Sequence, residues 1–507
     1  MNPIRDIVIV GGGTAGLVTA IMIKSKLPFL NVRVVKSSKT GIIGVGEGST
    51  PEWSDFQDLA NIDFKETIKK TDATVKIGIL FKDWNYKGHE YVHAVPTISE
   101  FNGNKIFDYL TLYPKHKFPL SFYFYKTYYQ NKIPIINRNF DVTRQFHFDT
   151  FKLNNFLLEK CKEKEILVED YFIKDIKLND KGEINSLLTD NNQDIKGDFF
   201  IDCSGFKRIL ISKLGAKWIS YRDKLPVSHA ITFPTSLNLD KGIEPYTTAT
   251  SLSSGWSWKI PTQTRYGNGY VFDDRYISKD NALNELNQHL GTNVEKVAKS
   301  IPFEAGKINK FWIKNCVAIG LAGSFLEPLE AQSIGFSIKQ AKLLIDNLIP
   351  FSHSPDLVRK EIEKKYNYIF DNTLNMVQLH YLTKRNDSKF WKEKPFNLTT
   401  WNKENLKLFS MGIINHLDKK DLLFNDINFY QILHGLDIIN KKSIQNKYEL
   451  YPETMEDLKF AESLFFENIK KEMYGIDLSP DKKIRGEGIL KINHYDYLNI
   501  LKENFSS

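Results

Sequence analysis

The sequence predicts a mixed α/β (α+β) fold built on a parallel sheet, with an added β-sheet region and a helical cap at its carboxyl end. Three observations predict it. The chain opens with an apolar strand, a glycine turn, a helix and a second strand. Hairpin and buried-strand patterns follow in the middle, and from about residue 356 onward the pattern is mostly amphipathic helix. We therefore predict a body over residues 1–350 and a cap over residues 351–507.

Short apolar runs define the opening elements. Ile7–Val10 is a continuous apolar run that ends in the turn Gly11–Gly16, and a helical stretch follows from Leu17 to about Lys26. The β-branched run Val32–Val35 marks a second strand. This order of strand, tight turn, helix and strand is typical of a Rossmann-like parallel sheet.

The middle of the chain carries a hairpin pattern. Tyr171–Leu178 and Glu183–Thr189 alternate around the turn residues Asn179–Gly182, which predicts two antiparallel strands. Phe199–Asp202 is typical of a buried strand, and it runs directly into Cys203–Gly205.

The helical part is predicted from periodicity. Residues 338–349 indicate a helix that Pro350 interrupts, because proline lacks the backbone donor a helix needs. Residues 356–385 and 455–473 follow as amphipathic helices.

Composition and charge exclude several classes of protein. The 507 residues carry 69 Lys+Arg against 61 Asp+Glu, and +7 of the net charge of +8 lies in residues 1–350. A hydrophobic content of 42% excludes a disordered chain, and three cysteines exclude a disulfide scaffold or a cysteine-based zinc cluster. The mild positive field favours an anionic cofactor or small anions, unless it only reflects a lysine-rich coding bias. We expect no nucleic-acid partner and no metal.

The chain lacks the patterns that direct proteins to membranes. No apolar run approaches the ~18 residues that a membrane span needs. The start of the chain moves into a strand without a signal-peptide pattern. We therefore expect a cytoplasmic protein with no membrane partner.

The glycine turn predicts a dinucleotide site. Gly11 permits the tight turn, Gly13 lets backbone N–H groups approach a pyrophosphate, and Gly16 lets the helix pack close to the strand. Thr14 and Ala15 then open the helix, whose N-terminus stabilises phosphate charge. The alternative is a glycine turn without a ligand.

Two further features belong to the same prediction. An acidic residue usually ends the second strand and holds the ribose, but Lys36 stands there, so a neighbouring group holds the ribose or Lys36 contacts a phosphate. A second glycine-rich segment, with Val45, Gly46, Glu47 and Ser49, suggests close backbone approach to a flat or phosphorylated group. A plain loop is the alternative for this segment.

Four charged or aromatic residues are candidates for chemistry. Trp256 and Trp258 are two residues apart, so on a strand their rings face the same side, as core aromatics also would. Lys76 lies in an apolar strand-like stretch, where an ammonium group either reaches the surface or is functional. Glu330 follows an apolar segment and suits proton transfer, whereas Glu327 is expected to contact solvent or backbone.

Five segments in the same order make the chain resemble the flavin-dependent halogenases, in particular the tryptophan-halogenase group. They are Gly11–Gly16, Gly44–Glu47, Asp202–Phe206, Gly255–Pro261 and Phe325–Glu330. The resemblance implies bound FAD, supplied as FADH2 by a separate flavin reductase, together with O2 and a halide ion. It implies that hypohalous acid forms and passes through an internal tunnel to a small aromatic substrate.

The resemblance also implies residue roles. Lys76 matches the lysine that binds the halogenating species, and Glu330 matches the glutamate that orients it and accepts the ring proton. Trp256, Trp258, Ile260 and Pro261 match the wall that keeps the organic substrate away from the flavin. The segment 351–507 would complete the substrate cleft.

Three departures from the family pattern bear on substrate and halide. Ala331-Gln332-Ser333 replaces Ser-Thr-Gly, so we expect halide at the backbone of Gln332 and Ser333, with a possible shift towards bromide or iodide because glycine's conformational freedom is lost. His93 and Val95 fall in a substrate-pocket segment, where Val95 replaces a stacking phenylalanine, and His93 is either a pocket or a packing residue. The stretch between Trp391 and Asn428 is shorter than in tryptophan halogenases, which argues against free tryptophan as substrate.

Two other functions stay open at this point. A flavin-dependent monooxygenase that hydroxylates its substrate would share the fold, but the paired tryptophans and Lys76 argue against it. A degenerate FAD-binding protein without activity is the non-enzyme alternative, suggested by Lys36 and by the altered turn after Glu330.

Overall fold

The structure is a computed structural model, and it describes residues 3–42, 44, 46–94, 108, 111–112, 131–136, 145–297, 299–414, 422–450, 456, 463 and 489–503. Its strands are β1 Asp6–Val10, β2 Asn31–Lys36, β3 Glu47–Gly48, β4 Thr74–Val75, β5 Gly78–Lys82, β6 Glu90–Ala94, β7 Lys132–Ile136, β8 Phe146–Phe148, β9 Leu167–Asp170, β10 Ile173–Leu178, β11 Ile184–Thr189, β12 Asp194–Lys196, β13 Phe199–Asp202, β14 Trp218–Ser220, β15 His229–Ser236, β16 Thr247–Leu252, β17 Gly255–Pro261, β18 Arg265–Phe272, β19 Lys299–Pro302, β20 Gly306–Ile308, β21 Trp312–Ile313, β22 Cys316–Ala318, β23 Ser324–Phe325 and β24 Ile489–Asn493.

The helices are α1 Thr14–Lys26, α2 Glu52–Ala60, α3 Phe64–Thr71, α4 Thr150–Glu163, α5 Ile209–Lys213, α6 Lys279–Leu290, α7 Gln332–Phe351, α8 Pro355–Leu379, α9 Lys389–Glu393, α10 Thr400–Ser410, α11 Asp426–Gly435, α12 Lys441–Leu450 and α13 His494–Glu503. The predicted mixed α/β fold is confirmed. Short 3₁₀ turns at Gly205–Lys207, Leu239–Lys241 and Gly320–Ala322 complete the elements.

The chain divides into two compact units. The first comprises residues 1–72, 148–225 and 303–372, and the second comprises 73–147, 226–302 and 373–507. The division into a body over residues 1–350 and a helical cap over residues 351–507 stays a prediction.

The first unit is built on a six-stranded sheet of order β21-β22-β13-β1-β2-β9. β1 lies between β13 and β2 and pairs with both in parallel, and the apolar run predicted as the first strand is buried. The aligned strand ends Val10, Asp202 and Ala318 place the glycine turn, the Cys203 segment and the Gly320 turn at one edge of the sheet. The predicted hairpin is confirmed as β10 and β11, which pair antiparallel.

The second unit is built on a seven-stranded sheet of order β19-β15-β18-β17-β16-β5-β6. Its neighbours pair antiparallel except for β16 and β5, which are parallel. A core that includes Ile231, Tyr270 and Leu286 packs between this sheet and α6. The Gly255–Pro261 segment forms β17, which lies inside the sheet, so both of its edges are hydrogen-bonded.

Two helix boundaries differ from the sequence-based expectation. Pro350 does not interrupt the helix, because α7 continues through it to Phe351. The proline sits in the last turn, where it removes a single backbone bond from the end of the helix. The helix predicted over 356–385 ends at Leu379, and its continuation to residue 385 is wrong. The predicted helix over 455–473 falls almost entirely outside the described residues.

Across the described ranges, no helix combines the length and the apolar character that a membrane span requires.

Candidate functional site

The glycine turn of the first unit depends on two close backbone approaches. Gly11 has a left-handed φ of 129°, and a Cβ there would overlap the carbonyl oxygen of Cys203. A Cβ at Gly16 would overlap the carbonyl oxygen of Gly11 itself. Because both obstacles are backbone atoms that cannot rotate away, the turn requires glycine at these two positions.

Gly13 differs from Gly11 and Gly16, because no atom lies within 4 Å of the place that a Cβ at Gly13 would take. It caps the N-terminus of α1 with φ −79° and ψ 179°. Thr14 and Ala15 begin this 13-residue helix, whose first N–H groups have no partner within the helix. The open side of Gly13 and the helix start form the cradle that a pyrophosphate needs.

The second glycine-rich segment lies against this cradle. The Glu47 side chain is hydrogen-bonded to Thr14, and burial raises the pKa of its carboxyl to about 7. Its Oε2 atom is buried and has no hydrogen-bond partner among the described residues. Gly46 N donates to Thr150 Oγ1 at 3.2 Å, and Ser49 is buried. Val45 lies outside the described residues.

Lys36 ends β2 and forms an ion pair at this edge of the sheet. Its Nζ lies 2.9 Å from Asp170 Oδ2, and Ser38 N donates to Asp170 Oδ1 at 2.9 Å. These contacts lower the pKa of the Asp170 carboxyl, chiefly through the Ser38 N–H. Asp170 ends β9, the parallel neighbour of β2. The sequence analysis did not select Asp170. The sequence does carry a signal for it, because Asp170 is an acidic residue at the end of a β-strand, and such residues often hold the ribose.

Asn154 is a second residue that sequence reasoning missed. Its Nδ2 donates to the carbonyl oxygen of Gly12 at 2.8 Å, which fixes the middle of the glycine turn. It lies on α4, 142 residues away along the chain, and no motif marks it.

Glu330 precedes α7 in the same unit. Its side chain is 3% exposed, and Ala331 follows as the N-cap with a left-handed φ of 54°. Gln332 and Ser333 are the first two residues of this 20-residue helix, so their backbone N–H groups point to the helix N-terminus, where anions are stabilised. The side chain of Gln332 donates through Nε2 to the carbonyl oxygen of Glu327 at 2.5 Å.

The structure bears on two expectations for this turn. Glu327 is fully buried, which excludes the expected contact with solvent but not the alternative contact with backbone. The left-handed residue is Ala331 and not Ser333, which lies inside α7, so the serine there needs no conformational freedom of glycine.

Lys76 lies between β4 and β5 in the second unit. Its side chain is 3% exposed, and its backbone N donates to Gln145 O at 2.9 Å. Lys82 differs: it ends β5, its side chain is 41% exposed, and its Nζ lies 3.2 Å from Glu90 Oε1. The structure therefore separates a buried lysine from an ordinary surface ion pair six residues later.

The two tryptophans of β17 face the same side, as predicted. The ring centroids of Trp256 and Trp258 are 6.0 Å apart, and both side chains are buried. Gly269 on β18 makes room for Trp258, because a Cβ there would overlap its ring. Ile260 is buried beyond them, and Pro261 ends the strand. The Pro261 carbonyl oxygen accepts a hydrogen bond from Thr74 Oγ1 at 2.8 Å, two residues before Lys76.

His93 on β6 is buried and hydrogen-bonded. Asn428 of α11 uses Oδ1 to accept from Asn425 N at 2.8 Å, so its Nδ2 donates to His93 Nε2 at 2.9 Å. This contact fixes the orientation of the His93 ring. Val95 lies outside the described residues, so the predicted gap in the pocket wall stays untested.

The fold and these residues define a class. The first unit has the strand, glycine turn and helix that are typical of dinucleotide-binding α/β units, with the Glu47 carboxylate beside the turn. The second unit places the buried Lys76 on a segment that is hydrogen-bonded to the strand of Trp256 and Trp258.

Comparison with known proteins gives the family. A sequence profile described as tryptophan halogenase matches residues 6–449. The tryptophan 6-halogenase SttH of Streptomyces toxytricini is 30% identical over 425 residues, which cover 77% of this chain and 81% of the relative. The chain therefore belongs to the tryptophan halogenase family and is a flavin-dependent halogenase. The resemblance that the five segments suggested is confirmed.

Solved structures agree with this assignment. The flavin-dependent halogenase BrvH from Brevundimonas sp. BAL3 is similar with a TM-score of 0.77 and 25% identity, covering 92% of this chain and 97% of that one. A tryptophan halogenase from Shewanella frigidimarina shares the fold with a TM-score of 0.85 at 23% identity, covering 99% and 98%.

Proposed function

We propose that this enzyme halogenates an electron-rich aromatic substrate, indole- or phenol-like and other than free tryptophan, with Lys76 and Glu330 as its catalytic residues. FADH2, O2 and a halide ion are the other reactants, and a separate flavin reductase supplies the FADH2. The observation that supports this most is the buried ammonium of Lys76 on a segment bonded to the end of the Trp-x-Trp strand.

The first unit fits FAD. Gly11 and Gly16 shape the turn, Gly13 leaves its side of the turn open, and Thr14 and Ala15 start the helix that would face the diphosphate. Gly46, Glu47 and Ser49 would line the cofactor from the second segment, together with Val45. Lys36 and Asp170 would face the ribose or the diphosphate at the end of β2. Bound as FADH2, the cofactor supplies the two electrons that let O2 oxidise a halide to hypohalous acid.

Lys76 would bind hypohalous acid by donating a hydrogen bond to its oxygen. Burial strengthens this bond, since little water competes for the ammonium group. The halogen then forms a bond to a ring carbon as its bond to oxygen breaks, and the leaving hydroxide takes a proton from the Lys76 ammonium and departs as water. The ring proton passes to the Glu330 carboxylate, so the charges of the two side chains are neutralised together until they exchange protons with solvent. Trp256, Trp258, Ile260 and Pro261 would act as a wall that keeps the organic substrate from the flavin.

The substrate pocket would include His93. Its ring is held by Asn428, so a substrate that meets it finds an imidazole with a fixed orientation. Trp391 is not available as a pocket wall, because its ring is buried and its Nε1 donates to Leu252 O at 2.6 Å. With the stretch from Trp391 to Asn428 shorter than in tryptophan halogenases, a more open cleft for other aromatics fits better.

A substrate panel tests the function. The full-length enzyme, with a flavin reductase, FAD and NADH, is incubated with indoles, phenols and free tryptophan in chloride, bromide or iodide, and products are identified by mass. We expect halogenated indoles or phenols and little halogenated tryptophan. A hydroxylated product formed equally with and without halide would instead identify a monooxygenase, and no product on any substrate would contradict the proposal.

Halide preference is a separate prediction. The halide would bind at the backbone of Gln332 and Ser333, and we expect brominated or iodinated product to exceed chlorinated product several-fold when the halides compete at equal concentration. Ser333 inside α7 weakens the argument from lost glycine freedom, so the expectation rests on the larger halides being easier to oxidise. Strict chloride preference in the competition would contradict it.

A further inference from the structure

We propose that His147 and His494 are positioning residues for Lys76, holding the segment of residues 74–77 in place through hydrogen bonds of their ring nitrogens. The inference rests on the proposed catalytic role of Lys76. It concerns residues of the second unit that no motif of the sequence marks.

His147 is hydrogen-bonded through both ring nitrogens. Its Nδ1 lies 2.9 Å from Thr74 Oγ1, and its Nε2 lies 2.9 Å from Thr247 Oγ1. The single hydroxyl hydrogen of Thr74 is already donated to Pro261 O at 2.8 Å. Thr74 Oγ1 must therefore accept from His147 Nδ1–H. Burial disfavours a second proton on the ring by lowering its pKa, so Nε2 carries no hydrogen and accepts from Thr247. The result is a directed chain of hydrogen bonds from Thr247 through His147 and Thr74 to Pro261.

His494 has an equally defined state. The backbone N of Val75 donates to His494 Nε2 at 3.1 Å, and an N–H group can only donate. His494 Nδ1 lies 3.2 Å from the carbonyl oxygen of Ile243, which can only accept, so Nδ1 carries the hydrogen. A protonated His494 would place a second donor against Val75 N–H and lose this bond.

The backbone of the next two residues is held as well. Lys76 N donates to Gln145 O at 2.9 Å, and Ile77 N donates to Pro245 O at 2.7 Å. Each of the four residues from Thr74 to Ile77 thus gives a hydrogen bond to a different partner, and the strand pairing of β4 with β8 sets Thr74 opposite His147. The ammonium of Lys76 is placed by a segment with little freedom to move.

Charge explains why the positioning groups are histidines. Burial holds the pKa of His147 well below its usual range, and the charges of Lys76 and of a protonated His494 lower it further. Burial also lowers the pKa of His494 to about 4, against the opposing effects of the Ile243 and Glu244 carbonyls and the Glu244 carboxylate. Both rings therefore stay neutral near pH 7 and add no second cation beside the Lys76 ammonium.

His147→Phe tests the inference, because it keeps a ring of similar size and removes both hydrogen bonds. Halogenated product and free hypohalous acid, trapped by an excess of a reactive diketone, are measured for the same amount of FADH2 consumed. We expect product to fall about 10- to 100-fold, as for a small misplacement of a catalytic group, while trapped hypohalous acid rises. The KM for the aromatic substrate should change less than twofold, since no group in the pocket is altered.

His229→Phe is the matched control. His229 is a half-buried histidine of β15, stacked on Phe272 at 5.5 Å and 3.4 Å from Ser300 Oγ, and it lies four strands from β5 in the same sheet. We expect this variant to keep the product yield and the low level of trapped acid. Thr247→Val removes only the hydroxyl that donates to His147 Nε2. We expect it to lower the halogenated product and to raise the trapped hypohalous acid, as His147→Phe does. If His147→Phe does not fold, Thr247→Val provides the test.

Two results would overturn the inference. An equal fall of product and trapped acid in His147→Phe and Thr247→Val would mean that the histidine has only a structural role. Unchanged product yield in both folded variants would mean that Lys76 needs no such support. Wild-type enzyme that yields neither product nor trapped acid would overturn the proposed function itself, and that outcome is distinct from the first two.

Discussion

Replacing Lys76 with alanine is expected to abolish halogenation while FAD binding persists. The variant removes the proposed hydrogen-bond donor to hypohalous acid, and the loss of one preorganised donor at a reaction centre costs at least ~100-fold in rate. The glycine turn and Glu47 belong to the other unit and are not altered. Product formation by mass spectrometry and FAD binding by fluorescence quenching measure the two effects separately.

Lys82→Ala is the control for this prediction. Lys82 is exposed and forms an ion pair with Glu90, a kind of contact that is worth only about 0–1 kcal/mol at a surface. We expect this variant to keep its activity and its stability. Halogenation within tenfold of the wild type in Lys76→Ala, or its loss in Lys82→Ala, would show that the catalytic lysine is assigned wrongly.

Gly16→Ala is expected to destabilise the first unit and to prevent FAD binding. The added methyl group would overlap the carbonyl oxygen of Gly11, and the turn can accommodate it only by moving α1 away from β1. Such overpacking costs about 1–3 kcal/mol, and more where backbone must shift. Thermal unfolding and FAD titration of the purified variant measure both consequences.

Gly13→Ala separates the fold from the cofactor. Its backbone angles, φ −79° and ψ 179°, suit alanine, and no atom within 4 Å opposes a methyl group. We expect the stability of the protein without FAD to change by no more than about 1 kcal/mol, because the lower entropy of the unfolded chain opposes the poorer N-cap that alanine makes. FAD binding weakens, because the methyl group enters the open side of the turn. Equal FAD affinity in Gly13→Ala and wild type would contradict the proposed position of the diphosphate.

Much of the first unit could be predicted because its signals are local. The strand, glycine turn, helix and second strand lie within residues 6–36. The backbone requires glycine at Gly11 and Gly16, two of the three positions that the spacing of the motif indicates. The facing of Trp256 and Trp258 follows from the period of a strand. Pro350 shows where local reasoning failed, because a proline is tolerated in the last turn of a helix and the sequence does not mark that turn.

The partners of the candidate site residues could not be predicted in the same way. Glu47 and Lys36 were selected as cofactor residues, but their contacts with Thr14 and Asp170 depend on how separate segments pack. Asn154 and Asn428 bind their partners across 142 and 335 residues, and a single asparagine leaves no periodic pattern.

The order of motifs along the chain was enough to predict the α/β class, the dinucleotide turn and the family, because each motif is defined by residues within a few positions of one another. The surroundings of Lys76 required the folded chain. His147 and His494 lie 73 and 419 residues from Thr74 and Val75, the groups that they bind. Hydrogen bonds between such distant segments depend on the packing of the whole second unit, and that packing gives both histidines their neutral state and places them beside the lysine.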